Sequence, residues 1–291
     1  RSTIVIDCSA DADVAFRAGA PTTKGRASDG KMQPMTMFFI IGNIDDEQVE
    51  AYMREHPEDE GKLFHQQVEA ARLRGEFTIP RDKIGIYRTP DAGVWRVNTT
   101  RVLGMDGTNP DDLTRAEIEG RKQVFALLDF MRRELPGFER VQLRETATQI
   151  GVRETRRIVG EYVLTQDDLA SGRHFEDVIA LGGYPVDIHP VDGAGGGVQS
   201  ALDSGLHTAD VYEIPYRSLV PLDIDDLLVA GRCLSATHEA AGAVRVMPPC
   251  FAMGQAAGTA AALAVERAIS PRQIEVRELQ AELRKQGAIL N

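Results

Sequence analysis

Tryptophan occurs once and cysteine three times in 291 residues. Cys8, Cys233 and Cys250 stand far apart, without the paired spacing of a disulfide framework or a zinc site, so a reducing, cytoplasmic compartment and no metal are expected. Basic residues are the minority, 33 against 44 acidic ones for a formal charge of -11, and no Lys/Arg-rich run is interleaved with aromatics. That argues against nucleic acid as a partner. Long apolar runs are also missing. The most apolar stretch, 251–265, is mainly Ala and Gly, is broken by Gln255, and falls short of the ~20 residues a membrane span needs. An initiator Met is absent, and the chain opens at once on a strand-like run, Ser2 to Ile6, so the natural chain is expected to continue upstream. Nothing in the composition fixes an oligomeric state.

What is present is enough for a real core, with 43% hydrophobic residues. Ser2–Ile6 reads as a buried strand, followed by a small acidic turn and a short helix stopped at Gly19. Met32–Ile41 is strand-like. Residues 45–75 read as helix, with Asp45 and Gln48 at capping-box spacing and Gly75 as the stop. Short runs at 84–87 and 94–97 suggest antiparallel strands. The strongest helical pattern covers 115–135, with Thr114 and Glu117 as a capping box and Pro136-Gly137 as the stop. Strand-like runs at 141–143 and 158–164 follow, then a helix from Gln166. Gly193–Gly197 lacks both the G-x-G-x-x-G spacing and the Lys of a phosphate loop and reads as a flexible loop. Leu227–Gly231 is a buried strand, 248–268 an Ala/Gly-rich helix, and 276–286 a final amphipathic helix.

The stretch from Leu227 to Ala262 has a chemical logic of its own. A hydrophobic strand ends at Gly231, and small residues lead to a helix whose first turn contains Pro248 and Pro249, where a missing N–H costs nothing. Free N–H groups at such a helix start favour an anion or an electron-rich carbonyl. Ala and Gly at 254, 256–258 and 260–262 suit a flat ring at close range or tight helix-to-sheet packing.

This stretch resembles the C-terminal flavin-contacting motif of the FAD-dependent oxidoreductases related to the fumarate reductase and succinate dehydrogenase flavoproteins. Asp7–Gly19 resembles that family's second FAD segment. Gly151–Thr165, Gly182–Pro190 and Tyr212–Leu219 resemble its substrate-domain signatures. The resemblance implies an α/β fold, with the remainder of a Rossmann-like FAD-binding domain in residues 1–25 and 216–291 and an inserted mixed α+β substrate domain in 26–215. It implies FAD as cofactor and hydride transfer between the flavin and a small organic substrate. The family's first FAD element, a strand and G-x-G-x-x-G, is found nowhere in these residues, so this stretch alone is expected to be inactive. A second departure is Cys8-Ser9-Ala10, where the family pattern places Ala-Thr-Gly.

Carried over by position, the resemblance assigns Ala10, Asp11, Gly231, Arg232, Arg245, Val246 and Met247 to the cofactor. A flavin needs little from the protein beyond orientation, a proton relay and electrostatic anchoring. His238, His189 and Arg156 are therefore the expected catalytic residues, a His passing the proton and an Arg holding a substrate carboxylate. His207 is a weaker candidate, Arg153 and Arg157 share the run of Arg156, and Cys250, Tyr184 and Tyr216 read as packing residues. Two other readings stay open: a non-catalytic remnant that binds a ligand or partner, and a hydrolase or lyase on the same fold.

Overall fold

A computed structural model describes residues 2–59, 62–191 and 198–290. The chain begins with β1 (Val5–Asp7), α1 (Asp13–Ala18) and β2 (Thr22–Lys24). A central stretch follows with β3 (Phe39–Gly42), α2 (Asp46–Glu55), α3 (His65–Leu73), β4 (Ile86–Arg88), β5 (Trp95–Val97), α4 (Pro110–Glu134) and β6 (Gln142–Thr146). The last part holds β7 (Arg156–Ile158), α5 (Gln166–Ser171), β8 (Val178–Gly182), α6 (Val198–Asp203), β9 (Tyr212–Pro215), β10 (Leu227–Val229), α7 (His238–Val244), α8 (Met247–Arg267) and α9 (Val276–Lys285). The Gly193–Gly197 stretch lies outside the described residues. The fold is α/β, as expected.

Two compact units emerge. The first combines residues 2–33, 153–189 and 198–290; the second is Pro34–Val152 with residues 190–191. The expected boundaries at 25/26 and 215/216 do not coincide with these. Strands β7, β8 and β9 pack with the first unit because each finds its partner there, as the pairings show.

In the first unit β1 runs parallel to β10, with Val5 opposite Leu227 and Asp7 opposite Val229. Strand β2 pairs antiparallel with β7, and β8 with β9. Helix α8 buries Met253, Ala256, Ala257, Ala260 and Ala264 in the same apolar cluster as Leu228, Leu279 and Leu283. Its glycines face the other way: a Cβ added at Gly254 or Gly258 meets no atom within 4 Å. The two uses of small residues left open by the sequence therefore divide by helix face, alanines packing inward and glycines leaving the outer face bare.

The second unit is built on an antiparallel sheet in the order β4-β5-β3-β6. Phe39, Ile41, Trp95 and Val97 are buried and share one cluster with Val124, Leu127, Leu128 and Met131 of α4. Trp95 also donates its indole N–H to Asp46 at 2.7 Å.

Several element readings change, among them the strand-like run 158–164, of which only Ile158 lies in a strand, β7. Helix α4 begins at Pro110 rather than near 115, capped by the Asn109 side chain with Pro at its first position. Thr114 instead bonds back to the Pro110 carbonyl at 2.9 Å, and Glu117 accepts the Ile150 N–H at 2.6 Å. The capping-box spacing was therefore a coincidence inside the helix. The expected 45–75 helix is two helices, α2 and α3, with Pro57 opening a short 3₁₀ turn between them; its cap, Asp45 accepting the Gln48 N–H, forms as read. Strands β8 and β9 carry two motifs read only as signatures.

No described helix is long and apolar enough to cross a membrane, and no cluster among the described residues could hold a metal ion. All three cysteines are free.

Candidate functional site

The site lies in the first unit, where the ends of parallel strands β1 and β10 release the chain into turns. Asp7 closes β1 and is almost wholly buried. One carboxylate oxygen accepts the Ser9 N–H and hydroxyl at 2.9 and 2.6 Å, and the other accepts the Ala15 N–H at 2.9 Å. Burial pushes its pKa up, but the hydrogen bonds from Ser9, Ala15 and Val14 outweigh it and hold the carboxyl below the usual range. A carboxyl with a lowered folded pKa stabilises the fold above its unfolded pKa of about 3.9 and loses that contribution as pH falls through the folded value. Asp7→Asn is accordingly expected to cost about 1–3 kcal/mol at pH 7. The wild-type advantage should shrink on acidification below about pH 4, read as converging urea midpoints; a gap independent of pH would refute the assignment.

Beyond Asp7 the turn runs through Ala10 at φ 69° and Ala12 at φ 51°. Both are left-handed and cost an L-residue about 1–2 kcal/mol relative to glycine. Ala10 stands where the resembled family places glycine, so the departure read in the sequence falls on a backbone that favours glycine. Across from it, Gly231 follows β10 at φ 101°, a conformation open to glycine.

These two turns and the start of α8 enclose a pocket of 280 Å³ lined by Ala10, Gly231, Arg232, Arg245, Cys250 and Gly254, with Cys8 and Ala230. Arg232 is anchored by an ion pair to Asp11 at 2.6 Å. Arg245 donates to the Asp187 carbonyl and carboxylate at 3.1 and 3.3 Å. Burial pushes the Arg245 pKa down, against the pull of Asp187. The Nε atoms of both arginines are buried and have no hydrogen-bond partner among the described residues. Two guanidinium Nε donors beside one pocket call for acceptors that the described residues do not supply.

The helix start contributes less than expected. Val246 is the N-cap and makes no side-chain cap, Met247 is the first helical residue, and Pro248 and Pro249 follow. Only Met247 of the first three helical positions carries an N–H, and the Cys250 N–H is already given to the Val246 carbonyl at 3.2 Å. Neither Val246 nor Met247 lines the pocket, and Met247 is exposed. Donors to an electron-rich group thus come mainly from guanidinium groups. Asp11 reaches the site indirectly, as the anchor of Arg232.

The expected catalytic residues divide. His238, the first residue of α7, is buried, and its Nδ1 lies 2.8–2.9 Å from the Glu154 carboxylate oxygens. Glu154 is buried too, ion-paired with Arg157 and accepting the Gln33 N–H at 3.0 Å. Arg157 completes the hub by donating to the carbonyls of Ala236 and Gly25 at 2.9 Å each. His189 is buried 3.4 Å from Asp187, the same carboxylate that holds Arg245. Arg156 is engaged structurally, paired with Asp13, bonded to the Asp11 carbonyl at 3.0 Å and stacked over Phe16. His207 is exposed and bonded to the Gly205 carbonyl. The Tyr216 hydroxyl is tethered to the Pro271 carbonyl at 2.9 Å. Cys250, read as packing, lines the pocket as well.

Residues the sequence reading missed are Glu154, Asp187, Gln33 and Cys8. Glu154 had one visible signal: a single carboxylate among Arg153, Arg156 and Arg157 is a natural partner for one of them.

Against known proteins, the model of the family described as FAD dependent oxidoreductase matches residues 1–283. No curated protein and no solved structure gives a significant match. A match over nearly the whole chain places it in that family, and FAD is its cofactor.

Proposed function

For this FAD-dependent oxidoreductase we propose that the first unit is a Rossmann-like FAD-binding domain, that the second is the substrate domain, and that the reaction moves a hydride between a small organic substrate and the flavin. The observation that carries this reading is the pair of buried Nε atoms of Arg232 and Arg245, unpartnered among the described residues, on the Gly231–Gly254 pocket. The residues present fit FAD. The cofactor has oxygen and nitrogen acceptors for two guanidinium donors, and a Cβ at either Gly231 or Gly254 would project into open space that a flat ring can use. The motifs at Asp7–Gly19 and Leu227–Ala262 support kinship with the fumarate reductase and succinate dehydrogenase flavoproteins, and the unpaired cysteines suit a reducing, cytoplasmic setting.

When bound, FAD supplies the two-electron chemistry at its flavin ring. The chain's own residues supply the rest. Arg232 and Arg245, aimed by Asp11 and Asp187, favour negative charge in the pocket. Glu154, ion-paired with Arg157, accepts the Nδ1 proton of His238 and leaves Nε2 to take or give a proton. Arg156 acts as a positioning residue by fixing the Asp11–Asp13 turn.

Alkylation tests the pocket without requiring turnover. Iodoacetamide labelling followed by peptide mass spectrometry should show Cys8 and Cys250 protected by FAD at least severalfold. Cys233, fully buried with its thiol pushed up to about 12 chiefly by burial, serves as the unreactive control. Arg232→Met and Arg245→Met should each weaken FAD binding about tenfold or more, as expected for losing a charge-assisted contact. Labelling unchanged by saturating FAD would sink the assignment of this pocket and favour a module that binds something else.

A further inference from the structure

The sheet of the second unit buries one face against α4 through Phe39, Ile41, Trp95 and Val97. Side chains alternate along a strand, so the residues between these point to the opposite face. The register sets Ile40 of β3 between Arg96 of β5 and Glu145 of β6, with Tyr87 of β4 beyond Arg96. These four form a row across the outer face. Phe38, Ile40, Arg96 and Glu145 also line one shallow groove there. Arg96, Glu145 and Tyr87 are exposed, and Phe38 and Ile40 are half-buried.

The two charges in the row are not spent on each other. Arg96 lies over the rings of Tyr87 and Phe38, 5.2 and 5.8 Å from their centroids. Stacking occupies the flat side of a guanidinium and leaves its N–H edge able to grip a carboxylate in bidentate fashion. Among the described residues, neither the Arg96 guanidinium nor the Glu145 carboxylate has an ion-pair or hydrogen-bond partner. Adjacent strands are about 4.8 Å apart, so the opposite charges stand one strand to either side of Ile40.

That spacing makes the face complementary to itself. A two-fold axis running along β3 above Ile40 brings Arg96 of each copy over Glu145 of the other, while Phe38 and Ile40, on the axis, meet their own counterparts. One like charge stands nearby: the Arg144 Nε lies where a Cβ on Gly42 would project, farther along β3.

We propose that this sheet face is an isologous interface between two copies of the chain, closed by two symmetric Arg96–Glu145 ion pairs around the apolar strip of Phe38 and Ile40. Strands of three to five residues make the face small beside a standard interface, so the dimer is weak and concentration-dependent. The inference does not rest on the flavin reading, since every group it uses lies in Pro34–Val152.

Sedimentation velocity of the whole chain without added FAD, from about 1 to about 300 µM, tests it. The sedimentation coefficient should rise with concentration from that of a monomer toward that of a dimer. Arg96→Glu and Glu145→Arg each set like charges at both symmetric contacts and should each weaken dimerisation about tenfold or more. Both residues are exposed, so circular dichroism should stay that of the wild type. Mixed in equal amounts, the two variants should dimerise again, because both contacts between unlike copies then join a cation to an anion. Arg144→Gln, which removes a like charge beside the axis, should not weaken the dimer. A wild-type chain that stays monomeric over the whole range, single variants that dimerise as well as wild type, or a mixture that remains monomeric would each overturn the proposal.

Discussion

Arg157→Met is expected to destabilise the first unit by about 3–5 kcal/mol, because it strands a buried carboxylate. Glu154 and Arg157 are both almost wholly buried, and among the described residues Arg157 is the one Lys or Arg ion-paired with the carboxylate, whose other contacts there are the His238 ring and the Gln33 N–H. The substitution keeps the aliphatic stem and removes the charge. It also leaves the carbonyls of Gly25 and Ala236 without the donors they now have. Urea unfolding followed by circular dichroism at 222 nm should show a midpoint lowered at unchanged slope. Pairing it with Glu154→Leu should recover part of the loss, since two apolar groups no longer leave a charge buried. A double variant worse than the sum of the singles would refute the buried-charge account.

Gly182→Ala is the second large loss, at about 1–3 kcal/mol and toward the upper end. A Cβ at Gly182 would sit 2.3 Å from Tyr212 Cε2, 2.5 Å from Cζ and 2.7 Å from the hydroxyl oxygen. The ring has little room to retreat. It is fully buried, and its hydroxyl donates toward the carbonyls of Tyr184 and Ala243 at 3.1 and 3.3 Å. Burial also pushes the Tyr212 pKa up, so the hydroxyl remains a donor. Gly258→Ala provides the contrast, with open space around the added methyl and a mid-helix position, and should stabilise by about 0.5–1 kcal/mol. Equal midpoints for the two alanine variants would show that the contact with Tyr212 does not restrict residue 182.

That contact also shows what was legible in the sequence. Gly182–Pro190 and Tyr212–Leu219 were visible as motifs, but their pairing was not: Gly182 lies opposite Tyr212 in the β8–β9 register, thirty residues away along the chain. The glycine is there because an aromatic ring covers it. Local signals read well where backbone chemistry is local, as at Gly19, Asp45 and the run of 227–229 into Gly231. They failed at Thr114, whose spacing to Glu117 copies a capping box while Asn109 and Pro110 start the helix. The family resemblance named Ala10, Gly231, Arg232 and Arg245, which line one pocket: the first three follow strand ends, and Arg245 stands between two helices. Glu154 and Asp187 were not legible, since their roles depend on partners 84 and 58 residues away in sequence.

Trp95 carries one last consequence. It is the chain's single tryptophan, and it is buried in the second unit with its indole N–H on Asp46. Tryptophan emission is therefore a private signal of Pro34–Val152, silent about the parallel strands and the flavin pocket, while helical dichroism sums over both units. In Arg157→Met or Gly182→Ala, an emission transition that stays at the wild-type urea concentration while the dichroic one moves would mean that the units melt separately. Coincident shifts would mean that they melt as one.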